Sequence, residues 1–161
     1  MNDAADHGEY DPPRQVTELV SWLAGQLAAY AATVVAGTLA DEDLRRQHFI
    51  VLSALAERGA VSQAELGRRL SIDRSDMHAV LGDLERQGYV ARVRDRGDRR
   101  RKLVELTSPG ARAQKRLAKK VEAAQETILA PLSASERRDL RRLLARLVEH
   151  HSDRGLPSRR R

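Results

Sequence analysis

The sequence predicts a mainly α-helical protein that carries one small β-hairpin, and three observations support this fold class. Two helical segments with a short connection occupy residues 62–70 and 73–86. Two strand-like segments, 89–94 and 102–106, follow and flank a loop crowded with arginine. Long helical patterns lie on both sides of this central region. A helix pair followed by a basic hairpin is the arrangement of a winged helix-turn-helix, in which one helix enters the DNA major groove while the hairpin, or wing, lies along the neighbouring backbone.

The amino-terminal third is predicted to contain two helices. Residues 1–12 are polar and are expected to be disordered. From residue 13 a helix should run to about residue 39, because apolar residues recur at intervals of three and four; these are Val16, Val20, Leu23, Leu27, Tyr30 and Val34. A second helix, 42–58, ends before Gly59, a natural helix terminator. We expect it to support the central helices from behind, with Phe49 filling the core.

The central helix pair has a predicted buried face and a predicted DNA-facing face. The first helix opens with Ser62-Gln63-Ala64-Glu65, a capping box in which the hydroxyl and the carboxylate satisfy free backbone amides. At about 100° per residue, the second helix buries a set of four residues: Met77, Val80, Leu81 and Leu84. Its opposite face carries Ser75, Ala79, Gly82 and Arg86, with His78 and Asp83 on the flanks. Small residues here would let the helix backbone lie close to base edges, and Arg86 would reach a phosphate.

Positive charge is concentrated in the predicted wing. The chain has a formal net charge of +6, which favours a polyanionic partner without identifying one. The loop and its flanks contain more cations than a solvated structural hairpin needs: Arg92, Arg94, Arg96, Arg99, Arg100, Arg101 and Lys102. The tight turn at Gln87-Gly88 leads from the helix into this hairpin.

Two further helices are predicted after the wing. Ser108 is a candidate N-cap, with Pro109 at the first helical position. The helix should run to about residue 130 with a coiled-coil-like seam of Leu117, Val121, Ala124 and Ile128. Pro131 ends it, and a second capping box, residues 133–136, opens a last helix to about residue 150, whose apolar face is Leu140, Leu143, Leu144 and Leu147. Residues 153–161 form a basic tail that is predicted to be disordered.

The composition argues against other functional classes. The absence of cysteine excludes disulfides, thiol sensing and cysteine-ligated zinc. None of the five histidines pairs with another at the i, i+4 spacing of a helical metal site. We therefore predict no metal and no cofactor, although a metal site across separate helices stays an alternative. A nucleophile motif, a phosphate-cradling glycine loop and a G-x-G-x-x-G are all missing, so the protein is not expected to be an enzyme.

The expected location is the cytoplasm. We interpret the sequence as having no apolar run that approaches the roughly 20 residues needed to span a bilayer. The amino-terminal segment is acidic, which is the wrong charge for a signal peptide. No membrane partner is therefore predicted.

Several blocks of the central region occur in a specific order and spacing. QAELGRRLSIDRS covers the helix pair, LERQGYVAR the entry to the wing, and LTSPGA its exit, while Asp98-Arg99-Arg100 runs on to Leu106-Thr107. These blocks resemble the MarR family of bacterial winged-helix regulators, whose wing signature is Asp-x-Arg followed after a fixed gap by Leu-Thr. The similarity covers roughly residues 44–147. It implies that the terminal helices interlock between two subunits, so that a two-fold dimer offers two recognition helices about 34 Å apart to an inverted repeat.

The resemblance completes the predicted organisation of the chain. We expect a disordered amino-terminus (1–12), a dimerisation helix (13–40), a winged helix-turn-helix (41–107), carboxy-terminal dimerisation helices (108–152) and a disordered basic tail (153–161).

The DNA-binding residues are expected in the helix pair and the wing: Ser62, Gln63, Arg74, Ser75, Asp76, His78, Ala79, Gly82, Arg86, Arg96, Asp98, Arg99, Arg100 and Arg101. By resemblance, Arg100 inserts into a minor groove, where a narrow A·T-rich stretch attracts arginine. Asp98 would brace its guanidinium; the alternative for Asp98 is a plain turn residue.

The recognition helix departs from the family pattern. Members often have Ser-Thr-Val-Ser-Arg where this chain has Ser75-Asp76-Met77-His78-Ala79, so an arginine that often reads guanine is absent. Ala79 offers only apolar contact, for instance to a thymine methyl group. Asp76 either caps the helix start or accepts from a cytosine amino group. The operator sequence therefore cannot be inferred from relatives.

A small-molecule site is also implied by the resemblance. Relatives commonly bind small aromatic or phenolic molecules in a crevice between the long helices and the DNA-binding region. The candidate lining residues are Trp22, Tyr30, His48 and Phe49. Trp22 lies roughly 100° off the apolar stripe of its own helix, and subunit packing is its alternative role.

The leading hypothesis is a DNA-binding transcriptional regulator, a homodimeric repressor that binds an inverted-repeat operator and is released by a small, aromatic ligand. One alternative is a regulator or an activator without a small-molecule input. Another is a helical interaction protein whose wing binds a different acidic partner, and it would show salt-sensitive binding without base preference.

Overall fold

The computed structural model describes residues 12–95, 97–98 and 102–152, and within them it confirms a mainly helical fold with one antiparallel hairpin. The predicted disordered segments, 1–12 and 153–161, lie outside this part of the chain apart from Pro12. The elements are α1 (Arg14–Thr17), α2 (Val20–Ala40), α3 (Arg46–Arg58), α4 (Gln63–Leu70), α5 (Arg74–Arg86), β1 (Val90–Arg94), β2 (Lys102–Leu106), α6 (Ser108–Ile128) and α7 (Ala134–Ser152).

The first predicted helix is divided, so the expectation of one continuous helix from residue 13 to 39 is wrong. The backbone leaves the helical region at Leu19, whose ψ is 128°. Beside the break, the Thr17 hydroxyl donates to the Arg14 carbonyl over 3.0 Å, and Arg14 forms an ion pair with Glu18. These local side-chain bonds satisfy the end of a single helical turn and compete with continuation of the helix.

The next helix begins later than predicted, at Arg46 instead of residue 42. Asp43 has a positive φ of 53°, and the Leu44 amide donates back to the Leu39 carbonyl over 3.2 Å. Glu42 is held by α6, because the Arg116 Nε donates to it over 3.0 Å. The α2–α3 connection is therefore a turn fixed by contacts that are distant in sequence.

The core lies between α3, α4, α5, the hairpin and α6. The predicted buried face of α5 is confirmed, since Met77, Val80, Leu81 and Leu84 are each at most 2% exposed. Leu52 and Leu55 of α3 and Leu117 of α6 pack into the same cluster. Phe49 is half-buried and packs against this cluster from its edge.

The hairpin pairs Val90 with Leu106 and Arg94 with Lys102 at its two ends. Val61, just before α4, adds a bridge, because its amide donates to the Val104 carbonyl over 3.1 Å and its carbonyl accepts from the Val104 amide over 2.8 Å. The predicted turn is confirmed at Gly88, whose φ is 72°. The hairpin is therefore attached to the start of α4 as well as to the end of α5.

The start of α6 differs by one residue from the prediction, since its N-cap is Thr107 and not Ser108. The Thr107 hydroxyl accepts from the Gly110 amide over 3.0 Å and donates to the Gly88 carbonyl over 2.7 Å. This second bond selects Thr107, because it joins the end of the wing to the turn at its beginning.

The terminal helices differ in how they pack. The predicted seam of α6 packs on α2 and α3 of the same chain, with Leu117 buried and Val121 half-buried. The second capping box is confirmed: the Ser133 amide donates to the Glu136 carboxylate over 2.8 Å, and the Glu136 amide donates to the Ser133 hydroxyl over 3.4 Å. In α7, Leu143, Leu144 and Leu147 remain 44–50% exposed.

Helix α2 also leaves an apolar face open. Leu23, Leu27 and Tyr30 are 40–54% exposed. With a mean hydropathy of 1.4, α2 is long and apolar enough by length and composition to cross a membrane, so the expectation that no such run exists is wrong. One helix of this kind near the amino-terminus is weak evidence for a membrane, and its other face packs on α6.

Candidate DNA-binding face

The turn between α4 and α5 fixes the angle of the helix pair. Ser71 caps the end of α4 in the left-handed conformation, with φ at 52°. The Ile72 amide donates to the Gly67 carbonyl over 3.0 Å. A Cβ at Gly67 would lie only 3.1 Å from the Ile72 carbonyl oxygen, so glycine allows this close return of the chain.

The first capping box is only half present. The Ser62 hydroxyl accepts from the Glu65 amide over 3.3 Å, as predicted. The Glu65 carboxylate, however, pairs with the Arg69 guanidinium over 2.5 Å, one helical turn further on. The cation at the i+4 position attracts the carboxylate away from the helix start.

Asp73 caps α5 and was not among the residues predicted from the sequence. Its Oδ1 accepts from the Ser75 amide at 2.8 Å, the Asp76 amide at 2.9 Å and the Ser75 hydroxyl at 2.6 Å. The Ser75 side chain, followed by the Asp76 backbone amide, lowers the pKa of Asp73 to about 2. An aspartate immediately before a helical pattern is a recognisable N-cap signal and would have identified it.

The exposed side of α5 faces a groove shared with α4 and the hairpin. Six predicted DNA contacts on α5 are exposed, namely Arg74, Ser75, Asp76, His78, Ala79 and Arg86, while Gly82 is half-buried. The groove has a volume of about 1250 Å³. Its lining combines predicted contacts from both helices with two hairpin cations, and includes Ser62, Gln63, Arg74, Ser75, His78, Arg92 and Lys102.

Arg92 links the hairpin to both helices and was not among the predicted contacts. Its Nε donates to Glu85 of α5 over 3.2 Å, and its Nη1 donates to the Gln63 side chain over 3.4 Å. Like Lys102 on the paired strand, it places positive charge at the base of the wing. The groove therefore offers cations for phosphates beside a helix face that can approach base edges.

Arg86 has a partner on its own helix, and the prediction for Asp98 is not tested by the described residues. Arg86 lies at the far end of α5 and pairs with Asp83, although its side chain is 77% exposed. Asp98 is exposed, while its predicted partner Arg100 and the wing residues Arg96, Arg99 and Arg101 lie outside the described residues. The brace between Asp98 and Arg100 stays a prediction.

The four predicted ligand residues are not gathered in one cavity. On α2, Trp22 is half-buried and Tyr30 is 54% exposed. His48 is only 2% exposed and lines a cavity of about 540 Å³ between the start of α3 and the end of α5. The rest of its lining contains neither aromatic residue of α2 nor Phe49: Ala40, Asp43, Leu44, Arg45, Asp83, Arg86 and Gln87.

The described residues contain no group of three or more histidine, aspartate or glutamate side chains that would hold a metal ion. Within this part of the chain, the arrangement offers cations, small side chains and a capped helix start beside one groove. Such a surface can bind a polyanion and approach bases.

Comparison with known proteins agrees with this geometry. A profile described as the MarR family matches residues 42–101. The transcriptional repressor Rv2887 of Mycobacterium tuberculosis is 31% identical over 128 residues, which cover 80% of this chain and 92% of Rv2887. The transcriptional repressor NicR of Pseudomonas putida is 28% identical over 143 residues, which cover 89% of this chain and 90% of NicR.

Solved structures share the fold. A probable transcriptional regulator from Pseudomonas aeruginosa is 30% identical and superimposes with a TM-score of 0.72 over 81% of this chain and 98% of its own. BpsR of Bordetella bronchiseptica, whose DNA binding is regulated by 6-hydroxynicotinic acid, is 26% identical with a TM-score of 0.72 over 84% and 97%. A mutant MarR from E. coli complexed with operator DNA, 24% identical over 80% and 92%, has the same fold at a TM-score of 0.70.

The helix pair, the wing and the length of these matches lead to one conclusion. The chain belongs to the MarR family of DNA-binding transcriptional regulators, which are not enzymes.

Proposed function

We propose that the protein is a cytoplasmic homodimeric repressor that binds an inverted-repeat operator and is released by a small aromatic ligand. The observation that carries this proposal is the groove between α4, α5 and the hairpin, which collects Arg74, Arg92 and Lys102 beside the exposed start of α5. In the proposed complex, α5 lies in the major groove of the DNA and reads bases through Ser75, His78 and Ala79. The wing follows the backbone and places Arg100 in the adjacent minor groove.

Two exposed apolar faces support a dimer. Leu143, Leu144 and Leu147 on α7 are about half exposed, as are Leu23 and Tyr30 on α2. Contiguous apolar surface of this kind is rare on a monomer and typically marks an interface. A two-fold axis through these faces pairs two recognition helices, so that each reads one half of an inverted repeat.

Relatives support repression and a ligand. Rv2887 and NicR are transcriptional repressors, and BpsR is a regulator whose DNA binding responds to 6-hydroxynicotinic acid. A similar aromatic acid is the class of effector that we propose here. Its binding would shift the population between dimers that fit the operator and dimers that do not.

Selection of bound sequences from a random duplex library tests the operator without knowledge of the target gene. We expect purified protein at physiological salt to enrich an inverted repeat with half-sites about 10 base pairs apart. The enriched duplex is then titrated with a panel of aromatic carboxylic acids, including 6-hydroxynicotinic acid, and one of them should release it. Benzyl alcohol serves as the uncharged aromatic control.

The outcomes separate the alternatives. If an inverted repeat is enriched but no acid releases the protein from it, the proposal of an aromatic ligand is contradicted. A regulator without a small-molecule input is then favoured. Binding that falls steeply with salt and enriches no sequence would contradict the operator and favour a helical interaction protein with another acidic partner.

A further inference from the structure

His48 is a polar side chain buried in the core next to the recognition helix. It is 2% exposed, and both of its ring nitrogens have partners. Nδ1 accepts from the Arg45 backbone amide, at 2.9 Å, at the start of α3. Nε2 lies 3.2 Å from Oδ2 of Asp83, which belongs to α5. The imidazole therefore joins the start of one core helix to the last turn of α5.

These contacts fix the protonation state that the site can accommodate. Because a backbone amide always donates, the Nδ1 that faces it must carry a lone pair and not a proton. The neutral ring then carries its proton on Nε2, which donates it to the Asp83 carboxylate. A second proton on Nδ1 would face the Arg45 N–H, and two donors cannot form a hydrogen bond.

The Asp83 carboxylate has other partners, but they are exposed. Arg45 reaches Oδ2 over 3.0 Å with a side chain that is 70% exposed, and Arg86, which also pairs with Asp83, is 77% exposed. Ion pairs at such exposure contribute little and are screened by salt. The contact from His48 is the buried one of the three.

We propose that His48 is a positioning residue for DNA binding, because its Nε2–H bond to Asp83 fixes α5 against the start of α3, and the Arg45 amide holds the ring in this position only while Nδ1 is unprotonated. The proposal rests on α5 being the DNA-reading helix of the proposed function. Protonation of His48 places a second N–H of the ring against the Arg45 N–H, and this contact between two donors displaces the ring, breaks its bond to Asp83 and frees α5 to shift out of register with its half-site.

The surroundings determine in which direction pH acts. The charged groups that face His48 are Arg45 and Asp43 from the α2–α3 connection and Asp83 and Arg86 from α5. Burial lowers the pKa of His48 below its ordinary 6.5, and the hydrogen bond to Asp83 opposes this. The ring therefore stays neutral at physiological pH, and α5 is released only on acidification.

Two substitutions each keep one of the two hydrogen bonds that the imidazole forms. In His48→Asn the amide oxygen occupies the position of Nδ1 and keeps the bond from the Arg45 amide, but the shorter side chain cannot reach Asp83. In His48→Gln the amide nitrogen is as many bonds from Cα as Nε2 is, so it reaches Asp83, while the acceptor for the Arg45 amide is lost. We expect His48→Asn to weaken binding to the selected duplex about ten-fold, the effect of losing one hydrogen bond to a charged group. His48→Gln should stay within about three-fold of wild type.

The matched control is Arg45→Ala, which removes the exposed ion pair with Asp83 and leaves the backbone amide in place. It should also stay within about three-fold, as expected for a surface pair. Thermal unfolding of each variant establishes that the folded fraction is complete at the assay temperature. Equal loss of affinity in both His48 variants, or a greater loss in His48→Gln, would overturn the proposal.

Two readouts do not depend on DNA. Long-range ¹H–¹⁵N NMR of wild type should show His48 protonated on Nε2 alone at pH 7, and an Nδ1–H tautomer would contradict the proposal. Hydrogen exchange of the α5 amides should be faster in His48→Asn than in His48→Gln, and equal rates would also contradict it. If wild type binds no duplex specifically, the operator proposal fails while these measurements still decide the role of His48.

Discussion

At the scale of single residues, two glycines control how closely other groups approach. Gly110 is buried at the start of α6, where a Cβ would lie 1.9 Å from the Tyr89 carbonyl oxygen. Gly82 lies on the exposed side of α5, and a Cβ there would meet no atom within 4 Å. The first glycine is therefore required by the fold, while the second leaves space that DNA can fill.

Gly110→Ala should destabilise the protein, because the added methyl group collides with rigid backbone. Overpacking of this kind costs about 1–3 kcal/mol. Denaturant unfolding measures it, and Gly82→Ala is the control, since the same substitution in open space favours the helix by about 0.5–1 kcal/mol. A Gly110→Ala variant as stable as wild type would show that α6 and the turn at Tyr89 are less closely packed than described.

Gly82→Ala should separate stability from DNA affinity. The variant is expected to be at least as stable as wild type but to bind the selected duplex more weakly, because the methyl group enlarges the helix surface that approaches base edges. A binding titration beside the unfolding measurement tests this. Unchanged affinity would place Gly82 outside the contact surface.

At the scale of elements, the hairpin and α5 are joined into one unit of the predicted DNA-binding face. Arg92 joins β1 to both α4 and α5, and Thr107 joins the end of β2 to Gly88 at the beginning of the hairpin. The wing is thus oriented by the same helices that we propose to read bases. Its arginines should add affinity that does not depend on base sequence.

Arg100→Ala should weaken binding on every duplex tested and reduce the slope of log K against log salt by about one. Arg138→Ala, which removes the same charge from the exposed start of α7, is the control and should leave both quantities unchanged. Binding isotherms at several salt concentrations provide the measurement. Wild-type affinity in correctly folded Arg100→Ala would remove the wing tip from the mechanism.

Elements specified by local pattern were predictable from the sequence. The buried face of α5 follows from periodicity, and the Ser133–Glu136 box from residues three apart in sequence. The late start of α3 was not, because Glu42 is held by Arg116, 74 residues away. Thr107 was chosen over Ser108 as N-cap by its bond to Gly88, and His48 was paired with Asp83 by contact between two helices. Such contacts between distant residues produce no periodic pattern in the sequence, so they could not be predicted from it.

At the scale of the whole molecule, the apolar faces of α2 and α7 are the largest departure from a self-sufficient monomer. Leu147 is 50% exposed on the α7 face, and Leu27 is 40% exposed on α2. Only the family resemblance predicted that these faces pack on a second subunit, because the periodicity of an apolar stripe is the same whether it packs within a subunit or between two.

Leu147→Asp should break the dimer, because it buries an unpaired charge in the interface. Sedimentation should then give the 18.0 kDa of one chain instead of twice that mass. Arg138→Asp, on the opposite face of α7, is the control and should remain dimeric. If Leu147→Asp forms dimers as stable as those of wild type, Leu147 does not lie in the dimer interface.

Footprinting of the full-length protein on the DNA just upstream of its own coding region tests the dimeric operator most directly. The experiment is made at physiological salt with competitor DNA, for wild type and for Leu147→Asp. We expect wild type to protect an inverted repeat with half-sites about 10 base pairs apart, and Leu147→Asp to lose this protection at the same concentration. Protection of a single half-site by wild type, or a repeat still protected by the monomeric variant, would contradict a dimer that reads two half-sites.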